Sequence, residues 1–354
     1  MKKILVLAAA AALAACSNPH ADRYVIEGQV PDLTGVVYLL DASETAIDSA
    51  AVENGRFRLE GEIACPEISY LVDALDGAQT FAQMLFLEPG TITVTTDTET
   101  ENTVVGGTPS NDGFTAYGQR RMELIREYRD PETSEERRNE VDAEIDALGI
   151  DTYNANVGNL FGAMLLQSEM SYVLSGSELL DEIAKFPAAM QEGELLTAIR
   201  EYAEKKARVD IGATYVDIAQ PAPDGEVVSL KSVIENPANK YTLLDFWATW
   251  CPPCMREVPY LVKTYNEFHD KGFEIYGVSF DRPGDHDKWA QVIRERGMNW
   301  IHVSTLTYFD NEGGKAYAVQ AIPTNYLIDA NGTIVARNLR GDEVYEKIAE
   351  LLGE

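Results

Sequence analysis

Cysteine and histidine are both scarce, four of each in 354 residues. Tetrahedral zinc needs four ligands. Cys251 and Cys254 could supply two, but Cys16 and Cys65 stand far from them, and His20, His269, His286 and His302 are scattered singly. This spacing argues against a metal centre and for a redox pair, so no metal or other cofactor is expected. Basic residues are the second deficit: 29 Lys and Arg face 58 Asp and Glu, a net charge of −29. A surface of that sign repels nucleic acid and anionic lipid, which removes both from the expected partners.

The N-terminal apolar stretch, in MKKILVLAAAAALAAC, is too short for a comfortable membrane span and has the flanks of a signal peptide, so residues 1–15 are set apart from the fold. Leu13, Ala14, Ala15 and Cys16 resemble a bacterial lipobox, which implies lipidation at Cys16 and a short polar tether over 16–22. An ordinary secretory signal, with Cys16 a bystander thiol, is the alternative. Ser17 resembles the pattern that directs lipoproteins to the outer membrane, which implies a lipid-anchored, periplasm-facing protein. That compartment is oxidising, so a dithiol there needs a redox partner.

The rest of the chain is organised around residues 242–259, TLLDFWATWCPPCMREVP. The apolar run Leu243–Trp247 reads as a buried strand, and a helix-compatible segment follows the cysteines. Cys251 then stands at a strand-to-helix turn, where free backbone N–H groups favour a thiolate nucleophile. Cys254 lies one turn along, within reach of it. Pro252 and Pro253 suit a first helical turn and stiffen the link between the sulfurs.

This run, with AIPT at Ala321–Thr324 and NGTIVARNLRG at Asn331–Gly341, resembles the thioredoxin fold, and more narrowly the TlpA/ResA-type thiol-disulfide oxidoreductases of bacterial envelopes. The likeness covers residues 213–354. It implies that Cys251 attacks, that Cys254 resolves, and that Pro323 is a cis-proline lying against the disulfide beside Ile322, offering backbone pairing to substrate. Asp245 matches the buried acid of thioredoxin, and Glu257 an acid that the narrower family places just after the motif. A carboxyl buried near a thiol has a raised pKa and can accept the proton of Cys254; each acid could instead be structural. Trp250 is expected to shape the substrate rim together with Pro252, Pro253, Ile322 and Pro323.

Length allows two or three domains. Residues 23–108 show short alternating strands, and Asn54-Gly55 is a hairpin signal, so a small all-β domain is expected. IDSAAVENGRFRLEG and LFLEPGTITV within it resemble a β-rich domain of unknown function found before thioredoxin-like domains. Cys65 there reads as an inert thiol; as a partner for the active pair it would require domain docking. Residues 109–210 read as helical. Thr133-x-x-Glu136 opens one helix that Gly149 should end, and NLFGAMLLQSEMSYVL is the most apolar candidate, a docking face or simple packing.

Residues 211–354 form the expected α/β thioredoxin-like domain, with Phe273–Asp281 a second buried strand and a closing hairpin at Asn331-Gly332. AhpC-type peroxidases share the fold but place one cysteine after P-x-x-x-T-x-x-C, whereas Thr249 stands only two residues before Cys251. The expected activity is disulfide exchange with periplasmic disulfide-containing proteins, in the reducing direction by resemblance and fed by a membrane electron donor. A ligand-binding lipoprotein with a redox-sensing pair, and a disulfide isomerase, are the competing readings.

Overall fold

The computed structural model describes residues 22–97 and 100–354. The expected signal peptide, Cys16 and nearly all of the 16–22 tether lie outside them. The chain divides into two compact units, one of residues up to Met170 with Glu182–Ala198, the other of Ser171–Asp181 with Ile199–Glu354.

The first unit opens with β1 (Asp22–Gln29), β2 (Gly35–Leu40), β3 (Ala46–Val52), β4 (Arg56–Ile63), β5 (Glu67–Val72), β6 (Ala82–Leu87), β7 (Gly90–Thr96) and β8 (Thr103–Gly106). They make two four-stranded sheets, β4-β1-β7-β8 and β3-β2-β5-β6. Alternation places Ile26, Val37, Leu39, Leu59, Leu71, Ile92 and Val94 in one shared core. The Asn54-Gly55 turn forms with both residues at positive φ and Glu53 paired to Arg56. Beyond that bridge β3 and β4 part into different sheets, so the hairpin signal marks a crossing between sheets.

Helices α1 (Pro109–Arg129), α2 (Glu135–Asn156) and α3 (Leu160–Leu165) follow, the last running into a π-helical turn over Leu166–Met170. Two local expectations are corrected here. The cap of α2 is Ser134, whose side chain accepts the Arg137 N–H, while Thr133 donates its hydroxyl to the Glu127 carbonyl. Helix α2 also runs on through Gly149, because packing against α1 and α3 outweighs the ~1 kcal/mol that a helical glycine costs. Cys65 is half-buried, its Sγ 3.4 Å from the Ala189 carbonyl. Helices α4 (Gly176–Ala184), α5 (Ala188–Gln191) and α6 (Glu194–Ala207) complete the helical stretch.

The second unit adds the hairpin β9 (Ala219–Pro221) and β10 (Val227–Ser229), then α7 (Leu230–Ile234), β11 (Tyr241–Trp247), α8 (Pro252–Phe268), β12 (Phe273–Ser279), α9 (His286–Glu295), β13 (Ile301–Val303), α10 (Glu312–Ala316), β14 (Thr324–Asp329), β15 (Ile334–Arg337) and α11 (Asp342–Leu352). The sheet order is β13-β12-β11-β14-β15, with β11 central, parallel to β12 and antiparallel to β14. Six of the seven residues of β11 and all of β12 are buried. Strands covered on both faces draw on such mostly apolar runs, so both were visible in the sequence. The chain is thus multidomain: a β-rich N-terminal part, a helical middle and a thioredoxin-like α/β part at the C-terminus.

Candidate active site

Strand β11 ends at Trp247, and Ala248, Thr249 and Trp250 turn the chain into α8. Cys251 is the N-cap of α8, and its Sγ accepts the Cys254 N–H at 3.2 Å. Pro252 and Pro253 fill the first turn, where no N–H is needed for helix bonding. The two sulfurs are bonded to each other, with Cα atoms 5.3 Å apart, and both residues are only 3% exposed. The peptide bond Ile322–Pro323 is cis, and the Ile322 carbonyl oxygen lies 3.7 Å from the Cys251 Sγ. Residues 71 apart in sequence therefore meet at the disulfide.

Asp245, on β11, is 4% exposed. Burial pushes its carboxyl up to about 7; the Arg340 guanidinium opposes this and the charge of Glu257 adds to it. Arg340 also donates to the Pro323 carbonyl, which ties the cis-proline loop to the residues around Asp245. Half-buried Glu257, one turn after Cys254, accepts the Gly341 N–H at 2.7 Å. Gly341 has φ 55° and ψ −129°, a conformation that side chains oppose, so this bond anchors a glycine-dependent turn beside the site.

Trp250 donates its indole N–H to the Phe280 carbonyl at 3.0 Å and packs on Tyr308, ring centroids 5.1 Å apart. The Arg282 guanidinium lies 4.7 Å from the Tyr308 ring centroid, so the rim beside the disulfide is aromatic with one cation.

Sequence reasoning missed Asp281. It is fully buried, and its carboxylate accepts from the Thr249 N–H at 3.2 Å, from the Thr249 hydroxyl, and from the Ser279 hydroxyl at 2.6 Å. The turn that presents Cys251 is thereby bolted to the end of β12. Its one sequence signal was an acid directly after an apolar strand, which is common at strand ends. Exchanging Asp281 for Ala takes the acceptor from the buried Ser279 hydroxyl and from two part-buried donors of Thr249, and chemical denaturation is expected to read a loss of about 3 kcal/mol. An unchanged midpoint would mean that the turn holds itself.

The AhpC/TSA family matches residues 211–337, and a domain of unknown function, DUF4369, matches residues 24–114. Thioredoxin-like protein YneN of Bacillus subtilis is 30% identical over 134 residues, which is 38% of this chain and 74% of that protein. The chain belongs to the TlpA/ResA-type thiol-disulfide oxidoreductases. Another relative, thiol-disulfide oxidoreductase ResA of Bacillus cereus, is 27% identical over 158 residues, 44% of this chain and 84% of its own length. The crystal structure of the thioredoxin domain of a Bacteroides vulgatus thiol-disulfide oxidoreductase is 36% identical, spans 40% of this chain and 98% of that domain, and has a TM-score of 0.37. Membership of the family gives this TlpA/ResA-type chain protein-disulfide oxidoreductase activity as its enzymatic class and proteins with disulfides as its broad substrate class.

Proposed function

We propose that the protein reduces disulfides of periplasmic proteins through a Cys251–Cys254 dithiol/disulfide cycle. In the reduced enzyme the Cys251 thiolate, stabilised by the N-terminus of α8, attacks one sulfur of a substrate disulfide. The substrate S–S bond breaks, the departing sulfur takes a proton, and a mixed disulfide forms. Cys254 passes its proton to Asp245, and its sulfur attacks that of Cys251. The second substrate sulfur leaves as a thiolate and takes up the proton given to Asp245, and the enzyme remains as the Cys251–Cys254 disulfide. Two electrons and two protons have then moved to the substrate, and a dithiol donor linked to the membrane restores the enzyme.

The observation that carries this reading is the disulfide at the helix N-cap, 3.7 Å from the carbonyl that precedes cis-Pro323. In this reading that carbonyl pairs with a substrate backbone as the mixed disulfide forms, and its closeness to the Cys251 sulfur supports the role. Support for Asp245 as proton acceptor is its burial, which brings its pKa close to neutrality. Glu257 has its bond to Gly341 in support of a positioning role. The lipobox-like Leu13–Cys16 stretch supports a lipid-anchored, periplasm-facing location, with the outer membrane favoured by Ser17.

Equilibration of the chain after Cys16 against thiol buffers tests the direction. The expected reduction potential lies near that of thioredoxin, about −270 mV. A potential near about −120 mV, that of a strong oxidant, would overturn the reducing direction.

A further inference from the structure

Beside the cis-Pro323 loop, the second unit contains a cavity of about 110 Å³ walled by Tyr172, Tyr202, Lys206, Pro323, Arg337 and Arg340, among others. The chain has two acids for every base, yet three cationic side chains converge here and no Asp or Glu lines the space. Lys206 is 6% exposed and the side chain of Arg337 is 13% exposed. Buried cations are costly unless something compensates them.

The bonds they make are to neutral groups. Lys206 Nζ donates to the Ser171 carbonyl at 2.6 Å, and Arg337 donates to the Val173 carbonyl at 3.1 Å and the Leu174 carbonyl at 3.5 Å. Arg340 donates to the carbonyls of Pro323 and Leu339. Arg340 faces the buried Asp245 carboxyl, but the acids near Lys206 and Arg337 do little to neutralise those two. Glu178 reaches only 3.9 Å from Arg337 and is 60% exposed, while the Asp210 carboxylate accepts from the N–H groups of Gly176 and Ser177 and from the Ser177 hydroxyl. Burial of Lys206, with Arg337 beside it, lowers its pKa to about 8, so it stays a cation at neutral pH.

Size and place narrow the ligand. A water molecule takes up about 30 Å³, so the cavity suits a carboxylate on a short stem and is too small for a cofactor. Its Pro323 wall adjoins Ile322, whose carbonyl touches the Cys251 sulfur, and Tyr172 at its rim is 49% exposed. A protein whose disulfide lies at Cys251 would bring nearby side chains to this opening. We propose that the cavity receives a carboxylate of the protein substrate and so selects disulfide partners that are acidic next to the reacting bond. The inference rests on the exchange reading above. It also gives residues 171–174 and α6 a part in substrate choice.

The test compares three short cystine peptides against the full chain in its oxidised form: one with an aspartate beside the cystine and an amidated C-terminus, its asparagine twin, and that twin with a free C-terminal carboxylate. Calorimetric titration should show the aspartate peptide binding about tenfold more tightly than the amidated twin, as one charge-assisted hydrogen bond would give. Raised salt should shrink the difference. Tight binding of the free-acid twin would make a chain terminus the source of the carboxylate. Lys206→Gln, which keeps an amide donor for Ser171, should abolish the preference. Gln320→Glu, an exposed change at the cavity wall, should do the same if that variant does not fold. In their reduced dithiol forms all these proteins should reduce neutral hydroxyethyl disulfide equally. Equal binding of all three peptides, or a preference that survives both variants, overturns the proposal even where exchange is intact. A preference without any exchange of the neutral disulfide leaves the carboxylate site in place and removes only the redox reading.

Discussion

Serine in place of Cys251 is expected to abolish turnover of disulfide substrates, a loss of at least about a thousandfold, because a hydroxyl at the α8 N-cap is not ionised and cannot form the mixed disulfide. Cys254 cannot substitute for it, because it lies inside the first turn of the helix whereas Cys251 stands at the N-cap. Serine in place of Cys254 should behave differently. The first attack survives and the second does not, so the enzyme should accumulate as a covalent adduct with its substrate, visible as a mass increase on a non-reducing gel and removed by dithiothreitol. Together the two variants separate exchange from mere binding. A protein that only captures partners would keep them in the Cys251→Ser form and would trap nothing covalently in the other. Substantial turnover by Cys251→Ser would remove the proposed mechanism.

Asp245→Asn is expected to make the protein more stable and a slower enzyme. In the folded protein the carboxyl titrates near about 7 against an ordinary value of 3.8, so folding favours its protonated form. The stability this gives is complete below about pH 4 and is lost as pH rises towards 7, where the buried group must ionise. The loss is on the order of 4 kcal/mol, from about 1.4 kcal/mol for each pH unit between the two values. Asparagine does not titrate. Denaturation midpoints of the two proteins should therefore diverge between pH 4 and 8, with the variant the more stable at pH 8. Release of product from the mixed disulfide should slow at the same time, since the variant lacks the carboxyl proposed to accept the proton of Cys254. Parallel pH profiles for the two proteins would show that Asp245 does not titrate across this range. A stabilised variant with unaltered resolution would pass the acceptor role elsewhere.

The elements legible in the sequence were those made by neighbours in the chain. Leu243–Trp247 and Phe273–Asp281 are mostly apolar runs of the kind a doubly covered strand uses, and both formed neighbouring strands of the sheet, the second ending at Ser279. Asn54-Gly55 and Asn331-Gly332 took their turns because a glycine tolerates positive φ. Strands β3, β6 and β8 were not separately recognised. Much of β3 is exposed and only the end of β6 is buried, which leaves a weak alternation to read. Gly149 and Thr133 misled for a related reason, since helix ends are decided by what packs on the helix and by the cap that wins, not by the first suitable residue.

The sequence by itself determined the chemistry available to this protein: two cysteines one helical turn apart, two prolines between them, a strand before and a helix after, all within one short stretch. Only the tertiary structure decided what surrounds that chemistry. Asp281 is 32 residues beyond Thr249, Arg340 is 17 beyond Pro323, and Glu257 meets a glycine 84 residues away. Lys206 and Arg337 reach one cavity from opposite ends of the second unit's sequence. Bonds over such separations leave no periodicity and no local propensity, because what selects those residues is the shape of the folded core and the cost of a buried polar group without a partner.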